Sequence, residues 1–133
     1  MEEGKIDIKT RKDIYRIVKE FYSKVRVDNL LGPIFNSIIE DWEYHFNHLT
    51  DFWESNIFMV TKYKGNPISV HQEVDKETGH KIDQSYFVQW LKLWFSTIDE
   101  LYEGDKANIM KNRARNMSTY IFIQMANKRN QSK

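Results

Sequence analysis

Helical periodicity runs through almost the whole chain and leaves little freedom in the choice of fold. Ile14, Ile17, Val18, Phe21, Tyr22 and Val25 recur at the three- and four-residue spacing of one helix face. Trp42, Phe46, Leu49, Trp53 and Ile57 repeat the pattern, with His45 and Phe52 at its edges. Phe87, Trp90, Leu91, Trp94, Ile98, Leu101 and Tyr102 form a third stripe, and Ala107, Met110, Ala114, Met117, Ile121 and Met125 a fourth. No segment alternates cleanly at period two over the length of a strand. Four amphipathic helices, over about 10–28, 42–59, 84–102 and 105–127, need one another to bury their apolar faces, so the expected class is all-α. A chain of 133 residues supports one domain, expected to span 1–133 with residues 1–9 and 128–133 as flexible tails.

Boundary signals agree with the stripes. Thr10 followed by Asp13 has the form of a capping box, and Asp41 and Asp83 stand where N-caps belong. Gly32-Pro33 in "NLLGPIF" predicts a break, with a short helix restarting over Ile34 to Ile39. "YKGNP" reads as a turn, a short helix is expected around Ile68 to Glu73, and "EVDKETGHKID" reads as an exposed polar loop. Gly104 sits where a helix C-terminal cap would.

Composition removes several function classes. The 20 basic and 19 acidic residues are interspersed, giving a net charge of +1 and no one-signed surface for nucleic acid or an anionic membrane. Cysteine is absent, which excludes disulfides, thiolate metal sites and thiol catalysis. No apolar run reaches the roughly 20 residues of a membrane span. "MEEGKIDIKT" does not read as a signal peptide, so the expected location is cytoplasmic. Aromatic residues reach 14%, a supply of large rings that serves equally for a solid core or for the walls of a cavity.

The chain has no phosphate loop, no zinc-protease helix, no nucleophile elbow and no dinucleotide fingerprint. Its four histidines are the remaining candidates. His45 and His48 lie three apart with Asp51 three further on, a spacing that could hold a divalent ion on one helix face, although no fourth ligand is in sight. His71 and His80 fall in or beside the polar loop region, where exposed histidine is the ordinary case. From the residues alone the chain is a helical bundle rich in rings, and Tyr22, Trp90, Phe35, Phe52 and Trp53 read as core.

Four strings in order change that reading. "FYSKVRVDNLLGPIF", "DWEYHFNHLTDFWES", "YKGNPISVH" and "FVQWLKLW", spanning about Asp13 to Ala126, resemble the group III truncated haemoglobins. The chain also lacks the paired glycines of the other two truncated groups. The resemblance implies a truncated globin: a two-over-two helical sandwich around a haem b (iron protoporphyrin IX). It implies His71, closing "YKGNPISVH", as the proximal iron ligand. Tyr22 matches the distal tyrosine, Trp90 the distal tryptophan, and His45 the histidine of the distal helix, which acts as a gate. Phe35 matches the phenylalanine packed on the porphyrin, and Leu49, Phe52 and Trp53 match apolar wall positions. Between His71 and Trp90 lie 18 residues, more than in many relatives. The extra length is the "DKETGHKID" loop, which introduces His80 as a rival ligand.

The chemistry suits those roles. A neutral imidazole can give one nitrogen to iron while the other N–H finds an acceptor. Trp90 offers only a donor, whereas Tyr22 donates or accepts. Two donors in a dry pocket, at about 1–1.5 kcal/mol each, slow ligand escape by roughly tenfold apiece. The resemblance therefore implies binding of dioxygen, nitric oxide or carbon monoxide, with slow release. That favours nitric oxide dioxygenation or a peroxidase-like reaction over bulk transport, and requires an external electron donor. The alternative is a haem-free helical interaction module on the globin fold. A gas sensor is a weaker third reading, because the 133 residues hold no recognisable output domain. No motif sets the oligomeric state.

Overall fold

The computed structural model describes residues 4–58 and 83–131, with side chains as far as 128. The expected turn, short helix and polar loop between the second and third stripes, with His71 and His80, lie outside the described residues. The described residues form five helices and no strand: α1 (Arg11–Val25), α2 (Leu31–Ile38), α3 (Trp42–Phe58), α4 (Gln84–Leu101) and α5 (Asp105–Gln131). None of these helices is long and apolar enough to cross a membrane.

Caps fix where the helices begin. The Asp13 carboxylate accepts from the backbone N–H of Lys9 at 2.8 Å and of Thr10 at 3.1 Å, completing the capping box read from the sequence. Asp41 accepts from the N–H of Tyr44 at 3.1 Å and Asp83 from the N–H of Tyr86 at 3.2 Å. The break before α2 differs from the expected one. α1 stops at Val25, and Asp28 serves the next helix instead of ending the first. Its carboxylate accepts from the N–H groups of Leu30 at 3.0 Å and Leu31 at 2.9 Å. Gly32 and Pro33 then lie inside the first turn of α2, where a missing proline N–H costs nothing. A Cβ at Gly32 would stand 2.9 Å from the carbonyl oxygen of Arg26, so the close approach of the two helices requires glycine.

Periodicity places residues 1–9 outside the helices, yet Ile8 is buried and Asp7 caps α5 from about a hundred residues away. The Asp7 carboxylate accepts from the N–H of Lys106 at 2.9 Å and of Ala107 at 3.0 Å. Burial raises its pKa, but three backbone N–H bonds outweigh that and hold it below the usual carboxylate range. Gly104 has φ +145°, and a Cβ there would meet the Asp7 side chain at 2.5 Å.

The four long helices pack as two pairs, α1 with α3 and α4 with α5, joined by α1 on α4 and α3 on α5. At the centre Trp94 is fully buried between Trp53 (5.2 Å, 22°) and Trp90 (5.7 Å, 12°), with the edge of Phe21 against it at 5.0 Å and 90°. Its indole N–H donates to the carbonyl of Met110 at 3.3 Å, tying α4 to α5. Glu54, buried on α3, is paired with Arg11 of α1 at 2.9 Å, and Arg11 also holds Asp51 at 2.6 Å.

Candidate functional site

Where α1, α2, α3 and α4 converge, the core opens into a cavity of about 260 Å³, with Met117 of α5 in its wall. This is close to the lower end of the roughly 300–1,000 Å³ of ligand pockets. The walls are largely apolar, from Phe21, Ile34, Phe35, Leu49, Phe52 and Trp53 among others. Four side chains bring polar atoms near it in a way that bears on chemistry: Tyr22, His45, Tyr86 and Trp90.

Tyr22 sits on the buried face of α1, three residues before its end at Val25, so its position follows from the stripe that builds the core. Its hydroxyl lies 3.0 Å from Nε2 of His45 on α3. The rings meet edge to face at 4.9 Å. Burial pushes the Tyr22 pKa well above the usual tyrosine value, with the nearby Tyr86 hydroxyl adding to the effect. Burial, followed by the neighbouring His48, pulls the His45 imidazole down to about 4. At neutral pH the pair is therefore a protonated phenol and a neutral ring. Which of the two donates depends on the imidazole tautomer. If Nε2 carries the proton, the phenol O–H is left free to point into the cavity.

Trp90, half-buried on α4, stacks on Trp94 but uses its N–H differently. The Trp94 N–H is consumed by the Met110 carbonyl, whereas among the described residues the Trp90 N–H has no hydrogen-bond partner. Phe35 of α2 lies edge-on to Tyr22 at 5.6 Å, and Phe52 lies edge-on to Trp53 at 5.2 Å. The structure thus brings Tyr22, Phe35, His45, Leu49, Phe52, Trp53 and Trp90 to one cavity. His71 is outside the described residues. The His45, His48 and Asp51 metal reading fails. Among the described residues no three His, Cys, Asp or Glu side chains could hold a metal ion. Asp51 is held by Arg11, and His45 faces Tyr22.

No family model matches the chain. The group 3 truncated hemoglobin ctb of Campylobacter jejuni is 28% identical over 121 residues, covering 88% of this chain and 91% of that protein. The crystal structure of the group III truncated hemoglobin from Campylobacter jejuni superposes with a TM-score of 0.81 at 27% identity, over 91% of this chain and 94% of the other. Over nearly its whole length the chain is similar to group III truncated haemoglobins. Its five described helices are those of a truncated globin.

Sequence reasoning did not assign two polar side chains to this cavity, Tyr86 and His48. Tyr86 stands one turn before Trp90, at the i, i+4 spacing that shares a helix face, but the stripe can equally be counted from Phe87. His48, read from the sequence as a candidate metal ligand with His45 and Asp51, lines the cavity one turn from His45. Its spacing from His45 was the available signal.

Proposed function

We propose that this globin holds a haem b against the cavity, ligated through His71, and retains dioxygen or nitric oxide there for redox chemistry. The chemistry of the lining supports the group. Phe35, Leu49, Phe52 and Trp53 offer apolar and aromatic surface for a flat macrocycle, and the Tyr22–His45 pair beside them is uncharged at pH 7. His71 is assigned from the resemblance of "YKGNPISVH" to the family's proximal segment, in preference to His80. When bound, haem supplies the iron position for a diatomic gas and one-electron chemistry that side chains lack.

The chain's own part is to hold the gas and exclude water. The carrying observation is that, among the described residues, the Trp90 N–H beside the cavity has no partner while that of its stacked neighbour Trp94 is satisfied. Trp90 can only donate, so it suits a ligand oxygen. Tyr22 adds a second donor whenever its phenol proton is not engaged by His45. His45 thereby acts as the gate: a neutral ring that either occupies the phenol or releases it. Two donors slow release and favour nitric oxide dioxygenation or a peroxidase-like reaction over transport. The electrons come from an outside donor, since the 133 residues carry no flavin or nicotinamide motif.

The test is oxygen release from the haem-loaded protein by stopped flow. Tyr22→Phe and Trp90→Phe are each expected to speed it by about tenfold. Rates equal to the unsubstituted protein's in both variants would reject the assignment. A protein that takes up no haem would favour the haem-free module.

A further inference from the structure

The Tyr86 side chain is buried on α4. The residue is 2% exposed, and its ring stacks on Phe35 at 5.9 Å and 15° while Phe87 lies edge-on at 4.9 Å. The ring is therefore fixed on two sides. Among the described residues its hydroxyl has no hydrogen-bond partner. Yet no fully occluded side-chain nitrogen or oxygen among the described residues lacks a partner. The Tyr86 oxygen is thus reached by open space, and the space its ring lines is the cavity. Burying a hydroxyl without a partner is unfavourable, and native interiors rarely tolerate it unless a ligand or water completes the bond. Burial also pushes the Tyr86 pKa up, so the group is a donor throughout the physiological range.

Three features set Tyr86 apart from a core tyrosine whose oxygen happens to be idle. It shares a helix face with Trp90, which also lines the cavity and whose N–H also has no partner among the described residues. It shares Phe35 with Tyr22, since both rings contact that side chain. Its hydroxyl is close enough to that of Tyr22 to disfavour ionisation there. Donors from α1 and from two successive turns of α4 thus converge on one apolar space.

We propose that Tyr86 is a third ligand-binding donor of the cavity, whose hydroxyl stabilises small acceptor-rich ligands, with anions of the azide type favoured most. The inference rests on the haem reading above, because the ligand needs the site that haem supplies. Three converging donors suit a compact anion having acceptor atoms at both ends.

The experiment uses the haem-loaded protein with sodium azide as the probe. Azide affinity of the ferric form is measured by optical titration for the unsubstituted protein, Tyr86→Phe and Tyr22→Phe. The thermal midpoint is recorded on the same samples. Removing a charge-assisted bond is expected to weaken azide about tenfold in Tyr86→Phe, with an unchanged Soret maximum. Tyr86→Phe is also expected to leave the thermal midpoint of the azide-free protein unchanged or raised, since no bond among the described residues is lost. Tyr22→Phe, which breaks the contact with His45, lowers it. Azide affinity within twofold of the unsubstituted protein, with a normal Soret band, overturns the role of Tyr86 and leaves the haem reading standing. A lowered midpoint in Tyr86→Phe overturns it too, by making the hydroxyl structural. Failure of the unsubstituted protein to take up haem overturns both.

Discussion

His45 makes this protein sensitive to mild acid in a way that can be isolated by one substitution. In the folded state its pKa falls to about 4, from burial and then from His48, against about 6.5 in an unfolded chain. Between those values the unfolded state binds more protons than the folded one, so stability rises with pH across the window and is lost as pH falls through it. The full shift corresponds to roughly 3 kcal/mol, reduced to the extent that water reaches the partly exposed ring. The phenol that faces the imidazole does not titrate there, because Tyr22 is pushed upward and stays protonated. Asp7, Asp13 and Asp28 have lowered pKa values, so their contribution is lost mainly below the unfolded carboxylate value of about 4. The perturbation is His45→Gln, which keeps a hydrogen-bonding group opposite Tyr22 but cannot titrate. Urea unfolding at about pH 7 and about pH 4.5 should show the unsubstituted protein losing roughly 2 kcal/mol more than His45→Gln between the two conditions. Parallel losses would mean that the imidazole charges freely in the folded state, and would refute the buried neutral pair.

Further substitutions test the scaffold. Gly104→Ala places a Cβ against Asp7 in a positive-φ conformation, and is expected to cost about 1–3 kcal/mol in chemical unfolding. Asp28→Ala removes the acceptor for Leu30, Leu31 and the Gln89 amide together. It should cost about 1–2 kcal/mol. Because α2 carries Phe35, the thermal midpoint loss should be accompanied by faster oxygen release. Trp94→Ala removes the ring at the centre of the stack and should cost about 3–5 kcal/mol, read as a fall in the urea midpoint.

The parts of this fold that could be read from the sequence are those set by local chemistry. Thr10 with Asp13, Asp41 and Asp83 cap their helices because a carboxylate three residues away reaches orphan N–H groups in any context. The apolar stripes place Tyr22, Trp53 and Trp94 inward by period alone. What could not be read depends on pairs far apart in the chain. Asp7 caps α5 across 99 residues, and Asp28 reaches Gln89 across 61. No spacing rule encodes either. The same limit applies at the site. Period marks Tyr22, Trp90 and Trp94 as alike, and only the packed structure separates the tryptophan whose N–H is spent on Met110 from the one whose N–H has no partner among the described residues. The resemblance gave seven lining residues because a family motif carries long-range information that period lacks. It did not give Tyr86, which lies just outside the "FVQWLKLW" string that carried it.

The central claim is that His71 ties a haem iron to this cavity, and haem titration of the purified protein addresses it most directly. The account expects an intense Soret band that saturates at one haem per chain, is lost or displaced in His71→Ala, and is retained in His80→Ala. A protein that stays colourless with haem in excess, or a Soret band unchanged by His71→Ala, would contradict it.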